Sequence, residues 1–364
     1  MTAAIVRHRG TAMKNLSRSA RGLFAAAAVA SALLVAALAG SAFARPTKTD
    51  KTAQDSQLVW PLPPDPPKIR YLESFYGATD FRKKSTWRRA LLGPETDPGI
   101  SLQKPYGIAT DSAGRMYVSD TNQGAVFVFD PRARLVRPFA TTGRVRLSTP
   151  IGLALDEKER VFVADAELNE VFCFDGDGNV LLALGRDQGM KNPTGLAIDR
   201  KRHRLYVADS HLHQILVYST DGQFLARWGS RGPAQGQFNF PTNLALDAEG
   251  NVYVVDTGNF RIQILDSEGK PLSVFGQAGD GPGSLQRPKG IAVDSEGHVY
   301  VVDAAFNNFQ IFDRSGQLLL DVGAVGTGPG TFWLPAGIHI DGKDRIFVVD
   351  QLNHRVQVFQ YIKN

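Results

Sequence analysis

The sequence has 364 residues, of which 43% are hydrophobic, 21% charged and 9% aromatic, proportions that exclude a wholly disordered chain and a polytopic membrane protein. Its net charge of +5 points to nucleic acid only until it is located. Five of the 41 basic residues (Arg7, Arg9, Lys14, Arg18, Arg21) and none of the 36 acidic ones fall in residues 1–44, so the remainder is neutral and offers no global field to a polyanion.

Residues 1–44 read as a secretory signal: basic residues, an apolar run from Leu23, and a small-x-small ending at Ala42-Phe43-Ala44. Cleavage is expected after Ala44, giving an exported protein, periplasmic or extracellular, with no stable membrane insertion after cleavage. The 22 residues from Leu23 to Ala44 are also long enough for an uncleaved anchor, which is the alternative. Ser41 stands where a lipoprotein box would need cysteine, so lipid attachment there is excluded.

Residues 45–68 read as a polar and Pro-rich tether, with Trp60-Pro61-Leu62-Pro63-Pro64-Asp65-Pro66-Pro67 expected in extended polyproline II because proline fixes φ and lacks a donor. Residues 69–101 are expected to hold a closing strand and a short helix. Ile69 to Phe75 alternates like an outer strand, with Leu72 and Phe75 expected to be buried. Ser85 can cap a helix that Gly93 ends and Pro94 stops. The one cysteine, Cys173, excludes an intramolecular disulfide, and its apolar neighbours favour packing over nucleophilic chemistry.

From residue 102 to 364 the sequence repeats. Pro-x-Gly/Asn recurs at Pro105-Tyr106-Gly107, Pro150-Ile151-Gly152, Pro193-Thr194-Gly195, Pro241-Thr242-Asn243, Pro288-Lys289-Gly290 and Pro335-Ala336-Gly337, defining repeats that start near 102, 147, 190, 238, 285 and 332. Each unit reads as four short apolar runs separated by turns, such as Val252 to Asp256 and Ile262 to Asp266. Four strands in about 45 residues, six times over, predict an all-β, six-bladed β-propeller. Asp-x-x-Gly turns such as Asp294-Ser295-Glu296-Gly297 suit tight hairpins. Repeats two, three and six lack that glycine in the first hairpin, so those turns are expected to differ. The sixth repeat shows three strands, and residues 69–75 are expected to supply its fourth and close the ring.

Asp256-Thr257-Gly258-Asn259-Phe260-Arg261-Ile262-Gln263-Ile264 and Asp350-Gln351-Leu352-Asn353-His354-Arg355-Val356-Gln357-Val358 resemble the NHL repeat. With the leader, the pattern over residues 102–361 resembles the bacterial exported six-bladed NHL propellers. That resemblance implies the fold. It leaves function open, because such propellers include enzymes, scaffolds and nucleic-acid binders.

Asp120, Asp165, Asp209, Asp256, Asp303 and Asp350 end the second strands as a ring of carboxylates. The resemblance implies a structural role, with Asp bonding loop amides and pairing with an Arg five residues on. That partner is present only as Arg261 and Arg355. Asp175-Gly176-Asp177-Gly178 starts like a calcium loop, but Arg186 occupies the twelfth position, so it reads as a hairpin. Gly279 to Gly283 resembles a phosphate cradle, but it opens no helix and reads as an inter-blade loop.

Some NHL-like propellers are metal-dependent lyases with three histidines at the channel. Here only His339 lies on a channel-lining strand, and His203, His211, His213, His298 and His354 are spread elsewhere, so no metal or cofactor is expected. Asn243, the one break in the Pro-x-Gly series, is the hint of a lactonase-like channel. Arg82, Lys83, Lys84, Arg88 and Arg89 form a local basic cluster that reads as a solvated helix face, so no nucleic acid is expected.

The leading expectation is a non-catalytic binding or scaffold propeller with a protein partner in the cell envelope. The alternative is a propeller enzyme, lyase or lactonase-like, working at the channel. The loops between blades and those between strands two and three should share one face carrying Tyr106, Leu168, His211, Leu212, His213, Asn243, Phe260, Lys289, Phe306, Leu352 and His354. Large apolar tips on a solvent-facing surface mark either a partner surface or local packing among the loops.

Overall fold

A computed structural model of the chain describes residues 58–81, 99–140 and 145–363. The leader, the polar part of the tether, the helix expected at 85–94 and the basic cluster at 82–89 lie outside the described residues. No helix among those described is long and apolar enough to cross a membrane.

Twenty-five strands among the described residues form six antiparallel sheets, five of four strands and one of five. They are the blades of a six-bladed β-propeller. In each blade the first strand begins at the Pro-x-Gly/Asn turn, as in Pro241–Leu246 and Pro288–Val293. Second strands such as Val252–Asp256 and Val299–Asp303 are buried at every position, and those of blades three and six at every position after their first Arg. Strands flanked by partners on both edges and by blades on both faces read as continuous apolar runs, which is why these segments are so rich in valine and tyrosine. The fourth strands alternate instead, as in Val180–Leu184, because their outer edge and part of their surface meet water.

The core is divided into six clusters, one in each seam between neighbouring blades. Blade six shows how the ring is closed. Strand β1 (Val59–Trp60) and strand β2 (Ile69–Phe75) add to its edge, and β2 pairs with Arg355–Tyr361 in register from Ile69↔Tyr361 to Phe75↔Val356. The register shifts between Tyr71 and Glu73. One extra residue reverses which face the following side chains take. Ile69 therefore packs into the seam between blades five and six, and Phe75 into the seam between blades six and one. Leu72 falls in the bulge and is 39% exposed, contrary to the burial expected for it.

The Pro-rich segment also departs from expectation. It is not an extended polyproline spacer. It turns at Pro63 and Pro64 and returns antiparallel, with the Lys68 amide donating to Trp60 O at 2.7 Å and the Tyr71 amide to Leu58 O at 2.9 Å. Trp60 packs edge-on to Phe359 with ring centroids 5.8 Å apart, so an apolar anchor holds what the prolines alone would leave extended.

Two of the three glycine-poor hairpins keep the common shape. Glu159 (φ 61°) and Asp344 (φ 55°) take the left-handed position that glycine holds elsewhere, each bonding back to the Asp three residues earlier. Only the hairpin of blade three is longer, closing at Asp199↔Arg204 with His203 left-handed. Tertiary pairing on both sides holds these residues where their own preference would not.

Candidate functional site at the channel mouth and loop face

The first strands line a central channel, and glycine lets them approach. A Cβ at Gly107 would lie 2.1 Å from Ile151 O and one at Gly152 2.2 Å from Thr194 O, so neighbouring strands nearly touch around the ring. The exception is Asn243, between blades four and five. Its Oδ1 accepts from the Leu244 amide at 2.8 Å. Beside it a hydroxyl pair closes the seam: Thr242 and Thr257 Oγ1 are 2.6 Å apart, and Thr257 Oγ1 donates to Pro288 O at 2.9 Å.

The channel holds a cavity of about 240 Å³, with Tyr106 at the loop-face end and Thr110, Arg200 and His339 at the other. Asn243 and His339 both line it, so the two residues that break their repeat positions share one space. No Asp or Glu is among the lining residues. His339 Nε2 lies 2.9 Å from Thr110 Oγ1. Burial pushes its imidazole down to about 4, with Asp341 opposing and Arg200 adding, so it is neutral near pH 7. Two other histidines are engaged with carboxylates: His203 pairs with Glu157 and His298 with Asp294. Among the described residues, no three His, Cys, Asp or Glu side chains are grouped so that they could hold a metal ion.

The six strand-ending aspartates are fully buried and turned into the loops. Asp165 accepts from the amides of Ser148 (2.7 Å), Thr149, Glu167 and Leu168, and Asp120, Asp209 and Asp303 do the same in their blades. Blades four and six add a second layer. Asp350 takes Arg355 Nε at 2.7 Å, and Arg355, 1% exposed, donates on to Gly328 O and Thr331 O. Arg261 does the same for Asp256 and the loop at Pro233 and Ala234. These carboxylates hold loops; none points into the channel. Cys173 is equally inert, wholly buried with its thiol pushed up to about 12 by desolvation.

The residues expected on the loop face differ in exposure. Leu168, His211, Phe260 and His354 are exposed, while Tyr106, Leu212, Asn243, Lys289, Phe306 and Leu352 are partly covered. His213 is buried, contrary to its expected place at a tip. Its Nδ1 accepts from the Phe240 amide at 3.1 Å and its ring lies 4.6 Å from that of Phe240. Desolvation lowers its pKa, and the charges of Arg231 and His211 lower it further.

The same face carries residues the repeat pattern did not single out: Phe240 (42% exposed), Trp333 (50%) and Val325 (71%). Phe240 precedes a turn proline, yet its φ is 51°, in the left-handed region that L-residues avoid. Leu334 repeats this at φ 50°, held by Asn307 Oδ1 accepting from its amide at 2.8 Å. The signal available in sequence was the large side chain immediately before, or one residue further before, the turn proline.

At the mouth of the channel the Lys289 ammonium sits 5.2 Å from the centroid of the Tyr106 ring. Desolvation, with Arg287 and Lys104 adding repulsion, holds Lys289 down to about 8. Desolvation raises the Tyr106 phenol, with Arg287 opposing.

Fold and motif together define the class: a six-bladed β-propeller carrying NHL repeats. The 6-bladed beta-propeller family DUF5128 matches residues 285–362, and the NHL repeat matches residues 190–218 and 238–265. No curated protein matches the sequence. Among solved structures, virginiamycin B lyase from Staphylococcus aureus is similar at 12% identity and TM-score 0.56, covering 81% of this chain and 99% of that one. A gluconolactonase from Xanthomonas campestris is similar at 18% identity and TM-score 0.57, covering 72% and 87%. A protein of unknown function from Bacteroides thetaiotaomicron is similar at 17% identity and TM-score 0.58, covering 80% and 75%. At these identities the likeness is one of fold.

Proposed function

We propose that the protein is a non-catalytic, exported binding or scaffold propeller that engages a partner of the cell envelope through its loop face. One observation carries the reading. Leu168, Phe240, Phe260 and Trp333 stand 37–50% exposed on that face, and Phe240 is held in a strained backbone with its ring against His213. Strain and exposed apolar surface both cost stability, and rigid aromatic anchors are what a partner surface uses. The leader pattern of residues 1–44 supports export.

A second reading is a propeller enzyme, lyase or lactonase-like, at the channel. Asn243 and His339 lining one cavity favours it. The lack of a lining carboxylate and a neutral His339 bonded to Thr110 weigh against it.

Photo-crosslinking side chains placed singly at Leu168 and Phe260, and at the rim positions Leu225 and Leu319, test the reading in intact cells of the native host. Discrete adducts from the first pair and none from the second are expected. Adducts from the rim alone would overturn the loop-face assignment. Stoichiometric metal in the purified protein, lost in His339→Ala, would favour the enzyme.

A further inference from the structure

Blade three has the longer hairpin between its first two strands, and Arg200 is the first residue beyond Asp199 in it. Its Nε and Nη2 donate to Leu155 O of blade two at 3.3 and 3.1 Å, which holds the side chain against the wall of the channel cavity. Arg200 is the one Lys or Arg among the lining residues, and no Asp or Glu stands beside it there. Its Nη1 has no partner among the described residues. The aspartates that end the first strands on that side are already paired within their own hairpins: Asp156 with Arg160 at 2.6 Å, Asp199 with Arg202 at 2.7 Å and Asp341 with Arg345 at 2.7 Å. The hydroxyls of the wall are spent inside it. Thr110 Oγ1 meets His339 Nε2 at 2.9 Å, Thr194 Oγ1 donates to Ala208 O at 3.3 Å, and Thr242 Oγ1 meets Thr257 Oγ1 at 2.6 Å. Asn243 differs. Its Oδ1 accepts from the Leu244 amide, and its Nδ2 has no partner among the described residues. Two uncommitted donors thus line a cavity whose wall carries no acid. Leu155 is the fifth residue after its turn proline and Asn243 the second after its own, so the two donors stand about three residues, or roughly 10 Å, apart along the channel.

We propose that the channel binds an elongated small-molecule carboxylate, with its carboxylate on Arg200 at the hairpin end and a second oxygen group on Asn243 Nδ2. The Nε edge of the guanidinium is fixed on Leu155 O, and the edge formed by Nη1 and Nη2 is left for the two oxygens of a carboxylate. A planar fork matches a planar anion, and in a channel partly closed to water that pairing is stronger than on an open surface. His339, neutral near pH 7, adds no charge to compete with it. At the far end Asn243 stands where the other five blades have glycine, so its amide is an addition to the wall that the fold itself does not need. A chain of about six carbons spans the two donors once a hydrogen bond is counted at each end. The inference goes beyond the loop-face reading and does not rest on it, because Arg200 lies at the opposite end of the channel from that face.

Isothermal titration of the purified full chain tests the site with three probes: adipate, hexanoate, which lacks the second oxygen group, and 1,6-hexanediol, which lacks the charge. Adipate should bind at one saturable site with a Kd of about one millimolar or tighter, hexanoate more weakly, and the diol not measurably. Arg200→Met should weaken both acids by about tenfold or more. Asn243→Gly should weaken adipate by about three- to tenfold and leave hexanoate unchanged. Lys158→Gln removes an exposed cation of a neighbouring hairpin that does not line the channel, and it should change nothing. Arg200 is exposed and Asn243→Gly restores the residue of the other five blades, so both variants should melt with the wild type. No saturable heat from adipate up to about ten millimolar, diol binding as tight as adipate, or adipate binding unchanged in Arg200→Met overturns the carboxylate site. Adipate binding unchanged in Asn243→Gly overturns the second contact. Loss of these signals with the Leu168 and Phe260 adducts retained would sink this inference alone, and Arg200-dependent binding without those adducts would sink only the loop-face reading.

Discussion

Lys289 is a residue whose charge works against folding. Its pKa is near 10.5 in the unfolded chain and about 8 in the folded one, so between those values the unfolded state binds more protons. Stability attributable to this group therefore rises with pH from about 8 towards 10.5, and at pH 7 the folded protein carries the full penalty. Lys289→Met keeps the stem and removes the charge. It should stabilise the protein by roughly 1–3 kcal/mol at pH 7, with the difference from wild type shrinking as pH passes through 8 to 10. Urea unfolding of both proteins at pH 7 and 9.5 reads this directly, and a gap that does not narrow would contradict the environment assigned to Lys289. A residue kept at a cost in stability fits a binding role better than a packing one. The buried aspartates show the opposite logic, since each is matched by amides or by a guanidinium in its own blade.

At the scale of elements, β1 is the part least expected and most easily tested. Trp60 packs on Phe359 and fills the space over Gly330, where an added Cβ would come within 2.5 Å of the indole. A chain beginning at Pro66 loses that contact and the two-residue pairing with β2. It should lose roughly 1.5–3 kcal/mol relative to one beginning at Arg45, seen as a lower melting temperature. Equal melting temperatures would mean that the Pro-rich segment only lies on the domain.

The sequence made β2 legible because Ile69 to Phe75 has the alternation and the closing Phe of the other fourth strands. β1 was not legible, since two residues between a polar run and a run of prolines show no period. The exposure of Leu72 was hidden for a different reason: a bulge is set by the partner strand, not by local pattern. The six blades and the structural ring of aspartates follow from repetition and could be read in full. The mouth could not, because the contact of Lys289 with Tyr106 skips a blade and has no signal in local pattern. His213 was misplaced because its neighbour Phe240, one blade on, covers it.

At the scale of the molecule, the mouth and the loop face exist as a continuous ring only if blade six is complete, because blade six spans the gap between Lys289 and Tyr106. That blade draws its inner three strands from residues 335–361 and its outer two from residues 59–75. Ile69 and Phe75, 0% and 5% exposed, are wedged into the seams on either side of it. Each contributes roughly 1.5–3 kcal/mol by burial, and without β2 the third strand of the blade would present an unpaired edge. Against a net stability of about 5–15 kcal/mol, that loss is decisive. The most direct measurement is therefore the thermal unfolding of a chain beginning at Leu102 beside one beginning at Arg45. The ring-closure account predicts that the Leu102 chain is insoluble or melts far lower. The same melting temperature for both would contradict it.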